Sequence, residues 1–277
     1  RRARLAWYNI DNVFYREGGP GVPANINTQD RRNHYVRRVI PQEIFKNQDR
    51  EVIVVPQPLF ELAFFPQERG MYNYDITNSL NPDGTFTNPE GRWGGVMRAL
   101  STTNFEEANI EYIQFWMLDP FNVDAENVDP NAPHNGGDLY FNLGNVSEDI
   151  LPDSRKSFEN GIPPSGTSLV DDMDTTIWAR VSTQQIIVNA FDNDPNARVN
   201  QDIGLDGWNN AQEREHYTAY VNWVQANPTL TADAKARMIA DPSSDDFNFF
   251  RDDVYDSEQR TILERYKKYN GMEGNSP

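Results

Sequence analysis

Asp202, Asp206 and Glu213 stand in the run Asp202-x-Gly204-x-Asp206-Gly207-x5-Glu213. Its spacing matches positions 1, 5, 6 and 12 of an EF-hand loop, where oxygen donors wrap a hard cation and a glycine makes the sharp turn. The chemistry expected of these three residues is therefore ligation of Ca2+, and no other cofactor is implied. Position 3 is Gly204, which has no side-chain oxygen, and no amphipathic helix is visible upstream. Asp192-Asn193-Asp194-Pro195-Asn196 lies just ahead with further oxygens. The competing reading is an Asp-Gly turn followed by acids at a helix start, where the helix dipole favours them.

Two other groupings could carry chemistry. Paired carboxylates run glycoside hydrolysis when they face each other across a cleft. Glu111 and Asp138, bordering predicted strands, are the candidates, although strand-end acids are mostly just solvated. Trp93, Trp116, Trp178 and Tyr140 could form a sugar-stacking platform, which makes a carbohydrate-binding jelly-roll module at the cell surface the alternative function. Aromatics at period-two spacing are more often core. No Ser-x-x-Lys, Gly-x-Ser-x-Gly, Walker or dinucleotide-binding glycine pattern occurs. No catalytic residue is assigned, and the chain is not read as an enzyme.

Composition narrows the classes further. The 277 residues suffice for one large domain or two modest ones. There is no Cys, which excludes disulfides and thiolate metal sites, and only His34, His134 and His216 offer imidazole. The net charge is −17 and unevenly placed: residues 1–50 hold ten Arg/Lys and five Asp/Glu, whereas residues 99–154 hold eleven acids and no Lys or Arg. Such a surface repels nucleic acid, so no nucleic-acid partner is expected. No run of about 18 apolar residues is present to form a membrane helix. The opening at Arg1, without Met or leader pattern, reads as a piece of a longer protein.

Elements that would position these residues follow from periodicity. Arg4–Tyr8, Val52–Val55 and Leu59–Phe65 read as strands, the last stopped by Pro66. Residues 110–118, 139–143, 175–181 and 185–188 read as further strands, with Trp116 in the core of a central one. Asn81-Pro82-Asp83-Gly84 and Asn88-Pro89-Glu90-Gly91 read as turns. Tyr217, Tyr220, Val221 and Val224 mark one face of a helix that Pro228 ends. Thr231 caps a second helix through Ala240, and Asp256 caps a third with Ile262, Leu263 and Tyr266 as its apolar stripe. Strand spacing without intervening helices predicts a mainly β fold. The expected architecture is an antiparallel, jelly-roll-like β-sandwich over residues 1–195, with a helical extension over 196–277 packed on it.

Longer words resemble a known family. They are Arg4-Leu5-Ala6-Trp7-Tyr8-Asn9-Ile10-Asp11, Arg98-Ala99-Leu100-Ser101-Thr102-Thr103-Asn104-Phe105, Trp116-Met117-Leu118-Asp119-Pro120-Phe121 and Gly137 to Gly161. Gln201-Asp202-Ile203-Gly204-Leu205-Asp206-Gly207, Ile262 to Asn270 and Glu273-Gly274-Asn275-Ser276-Pro277 complete the set. Together they resemble the SprA/Sov family, large outer-membrane β-barrels of Bacteroidetes that form the translocon of the type IX secretion system and serve gliding motility. The resemblance implies a soluble, non-catalytic segment of such a protein, exposed to water at the cell outer membrane on its surface or periplasmic side. It also implies that the rest of the same chain forms the membrane β-barrel. Expected partners are other secretion-system subunits and secreted cargo, with a role in pore capping, pore shape or docking.

Overall fold

The computed structural model describes residues 2–47, 55–96, 100, 102, 104–121, 136–144, 173–182, 206–246 and 248–268. Strand β1 (Ala3–Tyr8) pairs antiparallel with β2 (Glu61–Arg69), Ala6 facing Ala63 and Tyr8 facing Glu61. Alternation gives this ribbon two faces. Ala6 and Tyr8 are buried, while Phe60, Leu62 and Phe64 remain exposed on the other side. The register jumps between Ala3 and Arg4, whose partners are Arg69 and Phe65. Pro66 falls in that irregularity, where its missing N–H costs no ladder hydrogen bond, so the strand runs past the proline that was expected to stop it. Gly70 is required just beyond: a Cβ there would come 2.4 Å from the Ala3 carbonyl oxygen.

A 3-10 turn (Asn12–Tyr15) and short helices α1 (Thr28–Arg32) and α2 (Pro41–Ile44) lie between the two strands. A second, minimal hairpin joins β3 (Met173–Thr175) to β4 (Arg180–Ser182). The C-terminal part holds α3 (Asn210–His216), α4 (Thr218–Ala226), α5 (Ala232–Ala240), α6 (Asp253–Ser257) and α7 (Ile262–Tyr266). Among the described residues no helix is long and apolar enough to cross a membrane.

Two cores hold these pieces. The first packs Ala6, Tyr8, Phe14, Ile26 and Val36 against Ile262 and Tyr266. Tyr266 stacks on Tyr8 at 4.6 Å and on Phe250 at 5.0 Å. Arg265 is fully buried beside it. It donates to the carbonyls of Arg260, Phe250 and Tyr255 and to Asn25 Oδ1, and its Nη1 lies 2.7 Å from Asp256 Oδ1 as an ion pair. The second core packs Leu80 and Phe86 against Trp208, Tyr217, Tyr220, Val224, Leu230 and Ala234. Both cores thus join residues before 90 to residues after 205.

The β-sandwich expectation is overturned. The described strands form two separate two-stranded ribbons, and helices with aromatic side chains build the cores. Residues 110–118 and 139–143 adopt no strand, and Trp116 is 71% exposed rather than core. Alternating apolar residues define two faces but supply neither a pairing partner nor cover, and here both are lacking among the described residues. Residues 175–181 fold as a hairpin, because Thr176 Oγ1 accepts from the Trp178 and Ala179 N–H groups and turns the chain. Asp256 sits inside α6, which Asp252 caps, and Thr261 opens α7. Residues 52–54 and 185–188 lie outside the described residues.

Other expectations stand. Helix α4 carries Tyr220, Val221 and Val224 inward, and Thr231 caps α5 by accepting from the Ala234 N–H at 3.2 Å. The Asn81–Gly84 turn closes with the Gly84 N–H donating to Asn81 O at 2.9 Å.

Candidate metal centre

Asp206, Glu213 and Asp245 bring one carboxylate oxygen each to within 4.8 Å of one another. They are 0%, 1% and 5% exposed. Three local devices place them. Gly207 takes a φ of +72°, a region open to glycine, and this turn directs the Trp208 N–H back to Asp206 Oδ1 at 3.0 Å. Asn209 caps α3, so Glu213 stands in the first turn of that helix. Arg4 and Arg69 hold the loop after α5: Arg4 donates to Ser244 O and Oγ, and Arg69 to Pro242 O and Asp241 O.

Neutral hydroxyls line the cluster. Ser243 Oγ donates to Asp206 Oδ2 at 2.8 Å, and Tyr217 OH reaches the same oxygen at 3.3 Å. Tyr74 OH lies 2.6 Å from Ser243 Oγ, and Tyr72 OH donates to Asp245 Oδ2 at 2.9 Å. The Ser243 N–H donates to Glu213 Oε2 at 3.0 Å. Glu213 Oε1 is buried and has no hydrogen-bond partner among the described residues. None of the three carboxylates is within ion-pair distance of a described Lys or Arg. The nearby Asp241 takes Lys268, 3.6 Å away. Burial is the main cause that pushes all three carboxyl groups well above the usual carboxylate range; Asp206 adds repulsion at Glu213 and Asp245, and Asp241 adds it at all three. Such a cluster either takes up protons or binds a cation, because isolated buried carboxylates are costly.

Of the sequence-derived ligands, Asp206 and Glu213 are brought together, and Asp202 lies outside the described residues, as does the 192–196 run. Asp245 was not anticipated. It follows a helix end in an acidic stretch, and no local spacing marks it. Glu111 and Asp138 are both exposed on irregular chain, Asp138 accepting from Tyr140 OH at 3.2 Å. Trp93, Trp116 and Tyr140 are exposed and Trp178 half-buried. The jelly roll on which sugar binding rested is absent from the described residues. His34 and His216 each meet a backbone carbonyl, of Asp119 and Ile177 respectively, and neither joins the acidic cluster.

Residues 219–277 match a protein family, the SprA N-terminal family, described as motility related/secretion protein. The match supports the resemblance to SprA/Sov-type proteins over this segment, which begins in α4 and runs through α5, α6 and α7. No curated protein matches the chain.

Proposed function

We infer, from the match of residues 219–277 to a motility and secretion family, that this chain is a non-catalytic segment of a type IX secretion translocon at the outer membrane. In this reading it shapes or caps the pore, or docks partner subunits or cargo. The family match is the observation that carries it. The matched segment includes Ile262 and Tyr266, which pack on the N-terminal ribbon, so the family signature is seated on strands from the other end of the chain. A second observation supports a docking role. Phe60, Leu62 and Phe64 stand exposed on the open face of that ribbon, and Trp93, Phe115, Trp116 and Phe141 are exposed as well. Apolar surface in this quantity favours contact with another protein surface, either the remainder of the same protein or another subunit. The net charge of −17 weighs against a nucleic-acid role.

The test is deletion of this segment from the full-length protein in its own cells. Secretion of cargo should fall while the remaining protein still reaches the outer membrane. Secretion at the wild-type rate would refute the docking and pore-shaping role.

A further inference from the structure

The geometry points to a Ca2+ site formed by Asp206, Glu213 and Asp245, a grouping in which a residue more than thirty positions away completes an incomplete loop motif. Four observations lead there. The three donor oxygens lie within 4.8 Å of one another. Oxygens around a Ca2+ ion, each at about 2.4 Å, span at most about that distance across the ion. Glu213 Oε1 is buried without a hydrogen-bond partner, although its carboxylate is 1% exposed and belongs to the cluster. The guanidiniums next to the loop, of buried Arg4 and half-buried Arg69, donate to its carbonyls and to Ser244 Oγ, leaving the three acids without an ion pair among the described residues. The second acidic triplet, Asp241, Asp245 and Asp246, differs on this point: Asp241 has Lys268, and Asp246 accepts from Asn210 Nδ2 at 2.9 Å.

Donor chemistry selects the ion. The described side chains that hydrogen-bond to the cluster do so through oxygen, from the hydroxyls of Ser243, Tyr72 and Tyr217, with Tyr74 OH on Ser243. Zinc favours imidazole and thiolate, which the cluster does not offer. Mg2+ gives up its water reluctantly and keeps several waters, which suits a buried, protein-lined cluster poorly; Ca2+ accepts irregular all-oxygen shells. Two positive charges against three carboxylates leave one negative charge, and the Arg4 guanidinium interacts electrostatically with Asp241 and Asp245. Bound Ca2+ would join three elements: the Asp206 turn, α3 and the loop after α5 that Arg4 ties to β1. The inference is independent of the secretion reading, since it concerns only this chain's own ion.

The test uses the full 277-residue chain freed of metal with EDTA. Thermal unfolding is followed with millimolar CaCl2, MgCl2 or neither. Ca2+ at about 100-fold over its Kd should raise Tm by about 5 °C or more, and Mg2+ by less. Tb3+ should bind in place of Ca2+ and show luminescence sensitised by Trp208, whose N–H bonds to Asp206; Trp208→Phe should dim that signal without abolishing Ca2+ stabilisation. Glu213→Gln and, separately, Asp245→Asn should lose the Ca2+ response while the metal-free Tm stays level or rises. An absent Ca2+ shift in the wild-type chain overturns the site, as does a Ca2+ response that survives in both variants. Should either variant fail to fold, the wild-type Tm response and the Tb3+ signal decide by themselves.

Discussion

Tyr266 is where the family-matched C-terminal segment meets the N-terminal ribbon, and its substitution tests that junction. The side chain is fully buried. Its ring stacks on Tyr8 and Phe250 and meets Phe14 edge-on at 5.9 Å, while its hydroxyl accepts from the Asp11 N–H at 2.9 Å. Tyr266→Ala removes three ring contacts, each of which adds about 0.5–1.5 kcal/mol beyond area burial. It also leaves a cavity between β1 and α7. A loss at the upper end of about 3–5 kcal/mol is expected, as for other buried aromatics cut to alanine. Tyr266→Phe keeps the rings and removes the hydroxyl that accepts from the partly buried Asp11 N–H, so about 1 kcal/mol is expected. Urea unfolding followed by near-UV circular dichroism reads both, using the transition that reports on aromatic packing. A Tyr266→Ala effect within about 0.5 kcal/mol of wild type, the range of surface substitutions, would refute the seating of α7 on the ribbon. Equal losses in the two variants would instead assign the junction to the hydroxyl rather than to the stacked rings.

Trp116→Ala should change stability by no more than about 0.5 kcal/mol, because the indole is 71% exposed; a loss of several kcal/mol in the same urea assay would place it in a core after all. Thr231→Ala should cost about 1 kcal/mol through loss of the cap to Ala234, with Thr231→Ser recovering most of it in thermal melts. Glu61 shares the buried face of the ribbon with Tyr8, and burial raises its carboxyl from 4.5 to about 7. Below about pH 4.5 the group is protonated in both states and costs nothing. Between there and about pH 7 the unfolded chain ionises first, so its contribution to stability falls as pH rises and then levels off. The Tm difference between Glu61→Gln and wild type should therefore grow across that window, and a difference independent of pH would contradict the assignment. Arg265→Met should destabilise by about 3 kcal/mol or more in the urea assay, since Asp256 and three carbonyls lose their donor; a neutral result would mean these acceptors are satisfied by water.

Local spacing determined much of the helical part. The i, i+3, i+4, i+7 face of α4, the Thr231 cap and the Asn81–Gly84 turn depend on neighbours a few residues apart, and each appears where the residue types place it. The first strand and the 61–65 part of the second were legible for the same reason, though not the run on past Pro66 to Arg69, and so was the Asp206-Gly207 turn leading to Glu213 at a helix start. Only the tertiary structure decided the rest. Alternation around Trp116 reads the same whether a second sheet covers it or solvent does, which is how a sandwich came to be expected where two small ribbons stand. Asp245 enters the carboxylate cluster through Arg4 and Arg69 holding its loop, contacts spanning from about 170 to 240 residues that no local pattern encodes. Arg265 looks in sequence like a surface charge on a short helix, yet it is buried because four backbone and side-chain oxygens, together with Asp256, converge on it from separate segments.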